Sequence, residues 1–181
     1  MALLKIARMG HPVLRTPAEP VRDPTDPEIR RFAADMIETM IDAPGVGLAA
    51  PQVHSGLRMV VFRVPADRAG GESVPQTVLI NPVVEPLDDE TELGWEGCLS
   101  IPGMRGLVPR FTRIRYRGVG LDGEPIEREA EGFHARVVQH EVDHLDGVLY
   151  IDRMDDLRLL AFNEEAHHVQ ALLSEPEGEG E

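Results

Sequence analysis

His140, Glu141 and His144 form a His-Glu-x-x-His pattern inside Val137-Val-Gln-His-Glu-Val-Asp-His-Leu-Asp-Gly147. Side chains four residues apart share one face of a helix, so the two imidazoles can grip a single metal ion. Glu141 stands one residue further round, within reach of the proton of an attacking water. Two histidines leave the set short, because catalytic metal sites commonly use three protein ligands and keep one position open. A histidine six residues beyond His144 would complete one known arrangement, but that position is Tyr150. Two candidates survive. Glu164, 20 residues after His144, would give a zinc peptidase with His140, His144 and Glu164 as ligands. Cys98 is the single cysteine, and a thiolate beside two imidazoles suits a divalent first-row metal, which would hold the thiol deprotonated.

The surrounding pattern supplies elements to carry these groups. Phe133, Val137 and Val138 lead into the motif and Gly147 ends it, predicting a helix over about residues 132–146. Cys98 sits in Gly94-Trp-Glu-Gly-Cys-Leu-Ser-Ile-Pro-Gly103, where the bracketing glycines suggest a backbone held in special geometry. Gly45-Val-Gly-Leu-Ala-Ala-Pro-Gln52 lets the backbone pass close to a neighbour or a ligand, and Gln52 is its one polar group able to face a site. It lacks the Lys-Ser/Thr ending of a phosphate loop.

Residues 1–25 read as an irregular, proline-rich arm. Asp26-Pro27 then caps an amphipathic helix over about 27–42, with Ile29, Phe32, Ala33, Met36, Ile37, Met40 and Ile41 on one stripe and Pro44-Gly45 ending it. Met59–Phe62 and Val78–Val84 read as strands, with a surface loop over 65–76 and an acidic turn at 88–92. Arg113–Arg117 alternates, with Ile114 and Tyr116 facing in; Asp122-Gly123 turns the chain back into Ile126–Ala130. The glutamates at 124, 127 and 129 make those arginines a solvated face rather than a nucleic-acid patch. A last helix is expected over roughly 153–173 and an acidic, disordered tail over 174–181. The fold class expected is α+β: mixed, mainly antiparallel strands packed around a central metal-binding helix, with N-terminal and C-terminal helices. One catalytic domain, residues 1–173, is expected.

With 18 basic and 32 acidic residues the chain carries a net charge of −14 and repels phosphate backbones and anionic lipid. Direct DNA binding and membrane association are therefore not expected. No segment is apolar enough for an export signal or a membrane span, and one cysteine cannot form an internal disulfide; both suit a reducing cytoplasm. His11, His54, His134, His167 and His168 lack partners at ligand spacing, so surface or core roles are expected for them.

Taken together, Gly45-Val-Gly-Leu-Ala-Ala-Pro-Gln52, Glu96-Gly-Cys-Leu-Ser100 and Gln139-His-Glu-Val-Asp-His-Leu-Asp-Gly147 resemble the three motifs of the peptide deformylases, in the same order. The resemblance spans roughly residues 5–155 and implies an enzyme that removes the N-formyl group from the starting methionine of nascent polypeptides, releasing formate. It implies Cys98, His140 and His144 as ligands of one divalent ion, Fe(II) in the cell, with Zn(II), Ni(II) or Co(II) able to replace it. It also implies Glu141 as the proton carrier, with the Gln52 amide and the Leu99 backbone N–H as donors to the developing oxyanion. The substrate would add as a strand beside Val46, Gly47 and Gly97, its methionine side chain entering a pocket drawn from Val46, Phe133 and Val137 with His140 at the floor. Trp95 is placed at the rim from its neighbourhood, and Glu96 is expected to orient the Cys98 segment through a salt bridge to Arg105. Transient contact with the ribosome is expected from the substrate.

Overall fold

A computed structural model describes residues 2–68 and 73–169 of the chain. The helix expected from the Asp26-Pro27 cap is α1, Pro27–Asp42, and the Asp26 side chain accepts a hydrogen bond from the Glu28 N–H. A short strand β1, Gly47–Ala49, runs into a 3-10 turn, Ala50–Val53, that carries Gln52. The strands β2 (Met59–Val64), β3 (Val74–Pro86), β6 (Arg113–Val119) and β7 (Pro125–Glu131) join β1 in an antiparallel sheet ordered β1-β2-β3-β6-β7. A second antiparallel sheet, β4-β5-β8, is built from Thr91–Cys98, Ile101–Phe111 and Leu160–Phe162.

The motif helix α2, Gly132–Leu145, lies on one face of the large sheet and α1 on the other. Strand β2 shows why the run Met59–Phe62 is apolar without a break. Val60 and Phe62 pack in a cluster with Val138, Val142 and Leu145 of α2. The alternate residues Met59 and Val61 pack with Met36 and Met40 of α1. A strand covered on both faces has no polar side to show. The β4-β5 hairpin covers the remaining side of α2, so eleven consecutive helix residues, Ala135–Leu145, are buried. A third cluster joins Ala7 and Leu14 of the arm to Ile101, Val108, Leu149 and Tyr150.

The N-terminal arm is irregular, as expected, but it is fastened. The Ala7 N–H donates to the Gln52 carbonyl at 2.7 Å, the Met9 N–H to the Ser100 carbonyl at 2.8 Å and the Ala18 N–H to the Leu145 carbonyl at 2.8 Å. It thereby touches the three segments that bear the chemical motifs. Ile114 and Tyr116 are fully buried. On the outer face of the large sheet Arg115 pairs with Glu129 and Glu127, and Arg117 with Glu85.

The C-terminal helix is shorter than the expected 153–173. Tyr150–Arg153 and Leu157–Leu159 form 3-10 turns, Leu160–Phe162 adds to the edge of β5, and helical residues begin only at Ala166. Residues 170–181, including the expected acidic tail, lie outside the described residues, as do 69–72 of the expected loop.

Candidate active site

The Cys98 thiol and one imidazole nitrogen each of His140 and His144 lie within 4.8 Å of one another. Cys98 ends β4, while the histidines stand four residues apart on α2, so a strand end and a helix face converge on one point. The Cys98 Sγ is 3.3 Å from the His144 Nε2. It also receives hydrogen bonds from the Ser100 N–H and the Gln52 Nε2, both at 3.4 Å. Glu164 is exposed on a turn outside this cluster.

The His140 ring is oriented from behind: its Nδ1 lies 2.7 Å from Glu96 Oε2, and Tyr150 stacks on it at 6.1 Å between ring centroids. A carboxylate on one nitrogen fixes the tautomer and turns the other nitrogen toward a metal. Glu96 does not pair with Arg105. In the β4-β5 register Arg105 stands opposite Gly97, on the other face of the hairpin from Glu96, and its Nε donates to Asn163 at 2.8 Å. The partners of Glu96 are Arg110, at 2.8 and 3.0 Å, and Arg136, at 3.0 Å. Arg110 in turn donates to Asp143 at 2.5 Å, and Arg153 closes the chain on Asp143 at 2.8 Å. Burial alone would raise Glu96, but the hydrogen bonds from His140 and Arg110 hold it at about 2.

The electrostatics suit a cation held among Cys98, His140 and His144. Burial opposes charge on His140, yet hydrogen bonds to Cys98 and Glu96 keep its pKa well above the ordinary histidine range, so positive charge is stabilised there. His144 is pushed well below that range by burial, which leaves a neutral ring, the form that ligates. The site also contains buried polar atoms with no protein partner, His144 Nδ1 and Glu141 Oε2. Burial pushes the Glu141 carboxyl up to about 7. Its place depends on Gly47, because a side chain there would put Cβ 2.6 Å from the Glu141 carboxyl carbon. Gln52 is held rigidly: its Oε1 accepts from the Ala49 N–H at 2.8 Å and its Nε2 reaches Ser100 Oγ at 3.2 Å.

These groups open into a cavity of about 350 Å³. Val46, Gly47, Gln52, Gly97, Cys98, Leu99, Phe133, Val137, His140 and Glu141 all line it, and Trp95 borders it as expected from its neighbourhood. Both β1 and β4, whose residues line the cavity, are outer strands of their sheets. Arg68 stacks over the Phe133 ring at 3.9 Å. The sequence reading did not single out Arg110, Arg136, Asp143 or Arg68. Arg136 and Asp143 were open to notice, standing four residues before His140 and one before His144. For Arg110 and Arg68 no local signal exists.

Residues 3–159 match the family model described as Polypeptide deformylase. The chain is 55% identical over 161 residues to peptide deformylase 1 of Bordetella pertussis, which covers 88% of this chain and 92% of that protein. It is similar to the crystal structure of peptide deformylase from Thermotoga maritima, with a TM-score of 0.77 and 42% identity, over 86% of this chain and 100% of that one. A class I type b peptide deformylase from Acinetobacter baumannii, crystallised with Met-Ala-Ser bound, is similar at a TM-score of 0.79 and 36% identity, over 84% of this chain and 99% of that one.

Proposed function

The chain belongs to the polypeptide deformylase family, and on that premise we propose how its own residues divide the work of removing the formyl group from nascent polypeptides. The observation that carries the assignment is the convergence of Cys98, His140 and His144 within 4.8 Å, with Glu141 lining the same cavity as Cys98 and His140. Those three would hold one divalent ion, which when bound would act as a Lewis acid and lower the pKa of water in the open position. Fe(II) is the ion we assign in the cell, and Zn(II), Ni(II) or Co(II) suit the same donors.

Glu141 accepts the proton of the attacking water and passes it to the departing amine. The water oxygen bonds to the formyl carbon, the carbon–nitrogen bond breaks, and the products are formate and a peptide with a free amino terminus. The Gln52 Nε2, whose amide is already anchored at Ala49, and the Leu99 N–H would donate to the carbonyl oxygen as its charge develops. The peptide adds as a strand beside Val46, Gly47 and Gly97, a main-chain mode that accepts many sequences after the first residue. Its methionine side chain enters between Val46, Phe133 and Val137. The Met-Ala-Ser bound to the Acinetobacter relative has the composition of such a product.

Residues 1–173 form one catalytic domain in this reading, the enzyme works in the cytoplasm, and it meets its substrate in transient contact with the ribosome. None of the described helices is long and apolar enough to cross a membrane. Metal content after dialysis tests the ligand set. Replacement of Cys98 or His144 by alanine should empty the site while Glu164→Ala keeps it full. A full site in Cys98→Ala and an empty one in Glu164→Ala would reverse the assignment.

A further inference from the structure

Arg136, His140 and His144 stand four residues apart in succession, so all three side chains leave the same face of α2. The Arg136 side chain is buried. Its guanidinium bonds to the hairpin that carries Cys98. Its Nη2 donates to the Glu92 carbonyl at 2.7 Å. Its Nη1 donates to the Val108 carbonyl at 2.7 Å, to Glu96 Oε1 at 3.0 Å and to the Gly94 carbonyl at 3.3 Å. Gly94 is the seat of this group, for a Cβ at that position would lie 2.6 Å from the guanidinium carbon.

The ligands sit on two elements that share no covalent constraint. Cys98 follows Glu96 by two residues on β4, and His140 follows Arg136 by one helical turn on α2. We propose that Arg136, seated on Gly94, is a positioning residue that sets the distance between the Cys98 strand and the histidine face of α2. This rests on the ligand reading above. A planar guanidinium suits the task, because its donors are fixed in one plane and cannot follow a sliding partner as an ammonium can. Metal ligation tolerates displacements of only about 0.2 Å, so a small slip of the hairpin end is felt at the site.

The role is separable from holding the fold together. Arg110 still ties the hairpin to Asp143 at 2.5 Å, and the Gln139 side chain still pairs with the Phe111 backbone at 2.9 and 3.2 Å. Loss of the Arg136 seat should therefore let the Cys98 end drift without separating the elements. Arg136 also donates to the carboxylate that orients His140, so both kinds of ligand would be disturbed together.

The test uses the full chain loaded with Co(II), whose thiolate charge-transfer and ligand-field bands report ligand geometry independently of turnover. Gly94→Ala keeps every polar group but removes the seat. It should remain folded by thermal melting, shift the cobalt spectrum, and release metal to a chelator about 10–100-fold more readily, the range for outer partners of metal ligands. Arg136→Met should do the same. Because methionine is flexible and leaves room for a methyl, Gly94→Ala should add nothing when combined with Arg136→Met. If Arg136→Met is insoluble, Arg136→Lys takes its place with the same expectation. A wild-type spectrum and wild-type metal retention in Gly94→Ala would overturn the positioning role, as would additive effects of the two substitutions. Absence of a thiolate band in the wild-type protein would overturn the ligand reading and the positioning role with it.

Discussion

Glu141 occupies the space that a side chain at residue 47 would need: a Cβ on Gly47 would lie 2.6 Å from the Glu141 carboxyl carbon. The glycine of β1 and the acid of α2 are thus one fitted pair, and the strand edge that borders the cavity also fixes the acid proposed to carry the proton. Gly47→Ala should leave metal content unchanged and lower turnover about 100-fold, the usual cost of displacing a reacting group by about 1 Å. Unchanged turnover with full metal content would show that the carboxylate is not held by this contact.

Two duties are proposed for Gln52, and Gln52→Ala, which removes both, tests them by two separate readouts. Removing its Nε2 by Gln52→Ala should cost about 10²–10³ in rate, as for the loss of one oxyanion donor. Removing its Oε1 leaves the buried Ala49 N–H without a partner and should cost about 1–3 kcal/mol in urea unfolding. A stability loss with full activity would retain the structural duty and reject the catalytic one.

Arg110 is buried between Glu96 and Asp143, at 2.8 and 2.5 Å. Arg110→Met takes the shared cation from two buried carboxylates, leaving Glu96 to Arg136 and His140 and Asp143 to Arg153, and should destabilise the protein by about 3–5 kcal/mol in urea unfolding. A loss under about 1 kcal/mol would mean that Arg136 and Arg153 satisfy those carboxylates alone.

What could be read from the sequence was what local chemistry decides. The Asp26 cap and the stripe from Ile29 to Met40 are properties of one segment, and α1 begins and ends where they indicate. The Arg113–Arg117 alternation likewise needs only its own period. Leu157 and Leu160, three apart, imitate a helix, but Leu160–Phe162 is claimed by the edge of β5, a partner distant in sequence. The Glu96–Arg105 pairing failed for a related reason. Strand register, not proximity in sequence, puts Arg105 on the opposite face and brings Arg110 to Glu96. The candidate ligating and reacting groups were legible because their motifs are short, whereas the ion network behind them is assembled by four separate elements, β4, β5, α2 and the Tyr150–Arg153 turn.

His134 gives a prediction in pH. It is half-buried beside Tyr116 and Phe62, and burial, aided by the charge of Arg128, lowers its pKa below 6.5. Between that lowered value and 6.5 the unfolded chain binds a proton that the folded protein does not, so stability falls as pH drops through this window. Melting temperatures from about pH 5 to 8 should decline more steeply on the acid side for the wild type than for His134→Phe. Parallel curves would assign the acid sensitivity to other groups.

The most direct measurement of the central claim is formate release from a formyl-Met-Ala-Ser peptide by anaerobically purified wild-type and Glu141→Gln proteins at matched metal content. The wild type should release one formate for each free amino terminus formed. Glu141→Gln should keep its metal and lose about 10²–10⁴ in rate, the contribution expected of a positioned proton carrier. Near wild-type turnover by a fully metallated Glu141→Gln protein would contradict the account, because Glu96, the other carboxylate lining the cavity, is already engaged by His140 and Arg110.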